Sequence, residues 1–154
     1  MNYFDPSGPL FWETVGSAVL CGAIIGIERQ LHGKPVGVRT SILICLSTAV
    51  FIHLGASSVG EAGDPTRVLG QLVTGVGFLG AGVMIARDGI VSGVTTAAVI
   101  WALAAIGAAI GLGHVLGAIT LSLVTVAVLV GIGMLESSIR WLHRGVHGSE
   151  PGSN

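Results

Sequence analysis

The residues able to do chemistry in this sequence are few, and they stand at the ends of long uncharged runs. Glu28-Arg29 closes the first run, and Thr95-Thr96 opens a later one. Charged side chains at such positions either stay solvated at a membrane edge or form a fixed network that pins two helices together. The candidate polar positions are Glu28, Arg29, Arg39, Thr40, Asp64, Arg67, Thr95 and Thr96.

Asp64-Pro65 is a signal for the start of a helix, and Arg67 follows three residues after Asp64. The carboxylate can cap that helix and pair locally with Arg67. The alternative is an entry site for a cation, for which one carboxylate supplies few oxygen ligands. The hydroxyls of Thr95 and Thr96 can bond to the backbone of their own helix or across to another helix.

No combination of residues predicts an enzyme. Ser/His/Asp, Cys/His and paired-carboxylate sets are missing, and the five histidines do not repeat at metal-ligand spacing. A GxGxxG match at 75–80 lies inside the 19-residue uncharged run 68–86, whereas a dinucleotide site follows a strand in a soluble sheet. Cys21 and Cys45 are expected to be packing residues. We expect no enzymatic activity and no cofactor, and Asp64 and Glu28 become metal ligands only if the chain carries a cation.

The composition predicts a polytopic membrane protein. Of the 154 residues, 51% are hydrophobic and 10% are charged, and the mean hydropathy is +0.85. Soluble domains carry about 25% charged residues. The net charge of −1, without a basic run, gives no indication of nucleic-acid binding. The partner expected for most of the surface is the lipid bilayer.

The uncharged runs predict an all-α bundle of five transmembrane helices, since each run is near the ~20 residues that cross hydrocarbon. The predicted spans are 10–27, 40–58, 68–86, 92–111 and 115–135. They form one domain, 1–140, followed by a short polar tail, 141–154. Five spans put six of the seven Lys and Arg residues on one side, which predicts an outer N-terminus and a cytoplasmic C-terminus.

The third predicted span is rich in glycine. Glycine lowers helix propensity, so its density suits the close approach of another helix or a break that exposes backbone to a cavity. Trp101 lies deeper in its span than an interfacial Trp usually does, and we expect it to pack between helices. The predicted helix-packing residues are Gly75, Gly77, Gly80, Gly82 and Trp101.

Five segments together resemble the MgtC/SapB family of bacterial inner-membrane proteins. They are GIERQ at 26–30, GKPVGVRT at 33–40, DPTR at 64–67, GVGFLGAGVM at 75–84 and GVTTAAVIWALAAIG at 93–107. The resemblance implies a five-helix domain of the bacterial inner membrane with its N-terminus outside. It also implies that the polar positions and glycines named above correspond to motif residues of the family. The best-known member carries a soluble C-terminal domain, for which we expect no counterpart here.

The resemblance implies a role as well. The family is associated with growth at low magnesium and with virulence, and its best-known member is regarded as a regulator that restrains the F-type ATP synthase. Our leading hypothesis is a non-enzymatic protein that acts by helix–helix contact with itself, as a dimer, or with another membrane complex such as ATP synthase. One alternative is a transporter or channel for magnesium or another cation, lined by the glycine-rich helix. The other is a protein that binds a small ligand or lipid between its helices.

Overall fold

The computed structural model describes residues 5–58, 66–87 and 90–138, which form five helices and one β-hairpin. The elements in chain order are α1 (Pro9–Leu31), α2 (Val38–Ser58), α3 (Thr66–Gly82), β1 (Ile85–Arg87), β2 (Ile90–Ser92), α4 (Val94–Gly111) and α5 (Val115–Ser138). The predicted all-α polytopic class is confirmed. Asp64 and the predicted tail, 141–154, lie outside the described residues.

Within the described ranges, four helices are long and apolar enough to cross a membrane: α1, α2, α4 and α5. Helix α3 has 17 residues. At 1.5 Å per residue it rises about 26 Å, which is short of a hydrocarbon core of about 30 Å. The chain is therefore a multi-pass membrane protein in which a shorter α3 lies beside four candidate spans.

The third predicted span, 68–86, is wrong at its C-terminal end, because α3 stops at Gly82. The next residues form an antiparallel hairpin of β1 and β2, so the fourth helix begins at Val94 and not at position 92. The hairpin is rich in β-branched residues, which favour strands. Asp88-Gly89 between the strands is a sequence signal for a two-residue hairpin loop. The uncharged run therefore contains a helix and a strand, which hydropathy alone does not separate.

Gly93 joins the hairpin to α4. Its φ is +88°, and a Cβ placed on it would overlap the carbonyl oxygen of Val83. Any other residue would be strained at this φ and would also lack room for its side chain. The sharp end of α3 and the start of α4 thus depend on one glycine.

Helix α1 continues beyond the predicted end of its span, from residue 27 to Leu31. The chain is not helical from position 32 to position 37, and α2 then begins at Val38, two residues earlier than predicted. Because α1 is longer, Glu28 and Arg29 lie within its last turns and are buried. They are not loop residues.

Helix α2 lies between α1 and α4, and both contacts depend on glycine pairs four residues apart. A Cβ on Gly22 or Gly26 of α1 would come within 2.6 Å of the α2 backbone. On α4, a Cβ on Gly107 would lie 2.5 Å from the Cys45 carbonyl oxygen, and one on Gly111 would be similarly crowded. Real Cβ atoms do not approach this closely, so these helices pack backbone to backbone.

The other two helices lie at the outside of this core. Helix α3 attaches through a second apolar cluster that contains Val76 of α3 with Ile100 and Ala104 of α4. Helix α5 buries Ala118 and Ser122 but leaves many of its apolar side chains exposed. Exposed apolar side chains on a spanning helix are what contact with lipid requires.

Candidate functional site

Glu28 and Arg29 form the centre of a polar cluster near the C-terminal end of α1. Their exposed fractions are 8% and 4%, although charged residues are rarely buried without partners. The Nη2 of Arg29 donates to Thr96 Oγ1 at 3.4 Å, and its Nη1 lies 4.0 Å from Glu28 Oε2. Arg29 therefore links the end of α1 to the first turn of α4.

His32 contacts Glu28 from one turn further along the chain. Its Nδ1 lies 3.2 Å from Glu28 Oε1 and 2.9 Å from the Glu28 carbonyl oxygen. With the proton on Nδ1, the imidazole donates to these oxygens and holds one side of the carboxylate. Two buried atoms have no hydrogen-bond partner in the described part of the chain: Glu28 Oε2 and Arg29 Nε.

Glu28 and Arg29 line a cavity of about 590 Å³. One side of it is polar and comes from the end of α1, the turn after it and the start of α4, and the other side is apolar and comes from α5. The lining residues are Glu28, Arg29, His32, Lys34, Thr95, Val128, Leu129, Val130, Ile132, Gly133 and Met134. A cavity of this size with a few convergent polar groups has the character of a ligand pocket.

The structure brings together half of the predicted polar positions. The four that meet at the cavity or beside it are Glu28, Arg29, Thr95 and Thr96. The three other described positions are Arg39, Thr40 and Arg67, which are exposed near the starts of α2 and α3. Among the residues that the structure describes, no three His, Cys, Asp or Glu side chains form a group that could hold a metal ion.

Most glycines of α3 have open space beside them. No described atom lies within 4 Å of a Cβ placed on Gly75, Gly77 or Gly82. Gly80 differs, since a Cβ there would lie 3.6 Å from Trp101 Nε1 of α4. Trp101 therefore packs against α3 while 41% of its surface stays exposed. Among the described residues, crowded helix contacts occur at glycines of α1, α2 and α4 and not at those of α3.

Reasoning from the sequence missed the residues that complete the cavity. His32 could have been found, because it follows Glu28 by four residues and so shares its helical face. The sequence does not distinguish the apolar wall at 128–134, since its residues are of the same types as those that face lipid. A second contact, at the other end of α1, was also missed: Thr14 Oγ1 lies 3.1 Å from His53 Nε2 of α2.

A model of the MgtC family matches residues 15–138. The chain belongs to the MgtC family. The matched region contains α3, the hairpin and every residue that lines the cavity. Both surfaces described above are therefore parts of the MgtC-family region of the chain.

The MgtC-family chain is similar to several bacterial proteins. An uncharacterized protein of Haemophilus influenzae is 39% identical over 150 residues, which cover 92% of this chain and 62% of that protein. The Escherichia coli K12 protein named "Putative magnesium transporter YhiD" is 46% identical over 104 residues, or 63% of this chain and 48% of YhiD. SapB of Bacillus subtilis is 37% identical over 119 residues, or 72% of this chain and 50% of SapB.

The chain thus spans about half to three-fifths of the length of these curated relatives. No solved structure matches the chain. The family match, residues 15–138, includes the cavity, most of α1 and all of α2 to α5.

Proposed function

We propose that this MgtC-family protein is a non-enzymatic regulator in magnesium homeostasis, which acts through contact between α3 and a helix of another membrane protein. The observation that carries the proposal is the open face of α3, where a Cβ on Gly70 or Gly77 would meet no described atom. Glycine costs a helix up to about 1 kcal/mol relative to alanine. Glycines on a face that no described residue covers make sense where another helix approaches.

Small residues form a continuous stripe along this face. Gly70, Thr74, Gly77 and Ala81 are spaced by four, three and four residues, so they lie above one another on one side of α3. The Thr74 hydroxyl donates to the Gly70 carbonyl at 3.1 Å, which keeps this hydroxyl against its own helix. A partner helix would therefore meet a shallow, small-residue groove of the kind that supports close packing in membranes.

The magnesium role is supported by the family and by the name of the relative YhiD. The resemblance makes ATP synthase the first candidate for the partner. We place the protein in the bacterial inner membrane with its N-terminus outside, because the Lys and Arg residues then concentrate on the cytoplasmic side.

Growth at low magnesium tests this proposal. A strain lacking the gene should grow poorly in low-magnesium medium, and the wild-type chain should restore growth. Gly77→Leu should fail to restore growth although it accumulates in the membrane, because leucine fills the groove that the partner enters. The matched control is Gly131→Leu on α5, where the added Cβ also meets no described atom. The proposal fails if Gly77→Leu restores growth as well as Gly131→Leu does, or if the deletion strain grows normally.

Cation transport is the second candidate. The name of YhiD and the unpartnered Glu28 Oε2 in a cavity favour it. The Arg29 Nη1 at 4.0 Å from that oxygen weakens it, because a guanidinium repels a bound cation. Magnesium flux into liposomes that carry the purified chain, lost in Glu28→Gln and Asp64→Ala, would replace the regulator proposal with this one.

A further inference from the structure

We propose that the cavity between α1, α4 and α5 binds the headgroup of phosphatidylethanolamine, with its phosphate at Arg29 and Lys34 and its ammonium group at Glu28. The inference concerns a different surface from the α3 stripe and does not depend on any contact of that stripe. It rests on two unpartnered buried atoms, on the shape of the cavity and on its place in the bundle.

The two unpartnered atoms belong to groups of opposite charge, which suits a zwitterionic ligand. Glu28 Oε2 is an acceptor and Arg29 Nε is a donor, and both belong to side chains more than nine-tenths buried. Leaving buried charged groups unsatisfied is costly. An anion alone would satisfy Arg29 and repel Glu28, and a cation alone would do the reverse. A zwitterion with a phosphate and an ammonium N–H donor satisfies both.

Lys34 adds a second positive charge for the phosphate. It lines the cavity from the turn that follows α1, and its backbone N–H donates to the Arg29 carbonyl oxygen at 2.9 Å. This bond holds the turn beside the buried guanidinium. Arginine and lysine together are a common pair of phosphate-binding groups, since one offers a planar fork and the other a point charge.

The cavity is far larger than a bridging water requires. Its volume is about 590 Å³, whereas one water occupies roughly 30 Å³ of liquid. Its α5 side is formed by apolar residues of a helix that faces lipid, among them Val128 and Ile132, which are exposed. A ligand that fits this cavity needs a polar group for the α1 side and an apolar part that can lie along α5.

The position of the cavity favours a lipid over a soluble molecule with the same headgroup. Its polar residues come from the last turns of α1 and the first turns of α4, which are both candidate membrane spans. The ends of spanning helices lie at the level of lipid headgroups. A lipid already in the bilayer can thus reach Glu28 and Arg29 without leaving the membrane.

Native mass spectrometry of the delipidated full chain in detergent tests the proposal. Dioleoyl phosphatidylethanolamine, phosphatidylglycerol and phosphatidylcholine are added in equal amounts. We expect phosphatidylethanolamine to be retained about tenfold more than the other two, as the loss of one charge-assisted hydrogen bond implies. Phosphatidylcholine has no N–H donor for Glu28, and phosphatidylglycerol has no cation. Equal retention of the three lipids would overturn the proposal.

A soluble competitor separates the two sources of this headgroup. Excess glycerophosphoethanolamine should not displace the bound lipid, because it lacks the acyl chains that contact α5. Displacement by the soluble compound at a concentration comparable to that of the lipid would overturn the assignment to a lipid.

Variants test whether the lipid binds in the cavity. Gly133→Leu fills the α5 side, where an added Cβ meets no described atom, and should lower the retention of phosphatidylethanolamine about tenfold. Gly131→Leu makes the same change outside the cavity and should retain the lipid. Glu28→Gln should abolish the preference over phosphatidylglycerol. If Glu28→Gln does not fold, the Gly133→Leu result decides. Wild-type retention by Gly133→Leu would contradict the proposal.

Discussion

The Arg29 guanidinium ties α1 to α4. Burial of a charged group is unfavourable unless hydrogen bonds and an opposite charge compensate for it. Here the compensation comes from Thr96 Oγ1 at 3.4 Å and from the Glu28 carboxylate at 4.0 Å. Removal of the Thr96 hydroxyl from α4 would therefore take a hydrogen bond from the buried charge on α1.

Thr96→Val should destabilise the protein by about 1–3 kcal/mol, because it keeps the shape of threonine and removes the acceptor for a buried donor. Thermal unfolding of the purified chain in detergent measures the effect. Thr96→Ser is the control, since it keeps the hydroxyl and should retain most of the stability. If the valine variant unfolds at the wild-type temperature, the Arg29–Thr96 hydrogen bond does not stabilise the bundle.

Glycine has opposite roles on α4 and on α3. On α4, Gly107 lets the backbone of α2 approach, and a Cβ there would lie 2.5 Å from the Cys45 carbonyl oxygen. On α3, Gly77 leaves open space. Glycine is therefore needed at position 107 for α4 to pack closely against α2, whereas no described contact needs it at position 77.

Alanine at these two positions should shift stability in opposite directions. Gly107→Ala should destabilise the isolated chain by about 1–3 kcal/mol through overpacking. Gly77→Ala should stabilise it by up to about 1 kcal/mol, because alanine is the better helix former and has room. The free energies of unfolding in detergent check both values. Equal effects of the two substitutions would show that the glycines of α3 and α4 have the same role.

The sequence predicted the number of helices well, and it predicted their ends less well. Uncharged runs and turn residues were sufficient for five helices. They did not reveal that α3 ends at Gly82, since residues 83–86, which follow it, are uncharged as well. The Asp88-Gly89 signal was available and indicates this hairpin. Crowding at Gly107 could not be read from the sequence, because a GxxxG spacing does not say which helix lies opposite.

The candidate site was also predictable only in part, because the sequence shows which helix ends share a side but not how the helices pack. The charge count placed the end of α1, the start of α4 and the end of α5 on one side, and the cavity lined by all three confirms that these ends meet. Glu28, Arg29 and the Thr95-Thr96 pair were therefore found. The apolar wall of α5 and the contacts of Arg29 with Glu28 and Thr96 depend on packing that no residue pattern encodes.

The bundle consists of a closely packed part and a more loosely attached helix, α3. Helices α1, α2 and α4 pack closely through glycines and enclose the main apolar core, which includes Cys21, Cys45 and Ile106. Helix α3 is shorter and joins this core through a small second cluster. This arrangement supports a protein whose rigid spans present α3 to a partner in the membrane.

Photocrosslinking from α3 tests that role most directly. Phe78 borders the small-residue stripe and is 81% exposed, and Leu116 on α5 is 82% exposed and serves as the control position. With p-benzoylphenylalanine at position 78, we predict a crosslink to another integral membrane protein in living cells, and its loss when Gly77→Leu is added. Position 116 should not give this product. The proposed regulator role is contradicted if position 78 crosslinks no more protein than position 116, or if it joins only two copies of this chain.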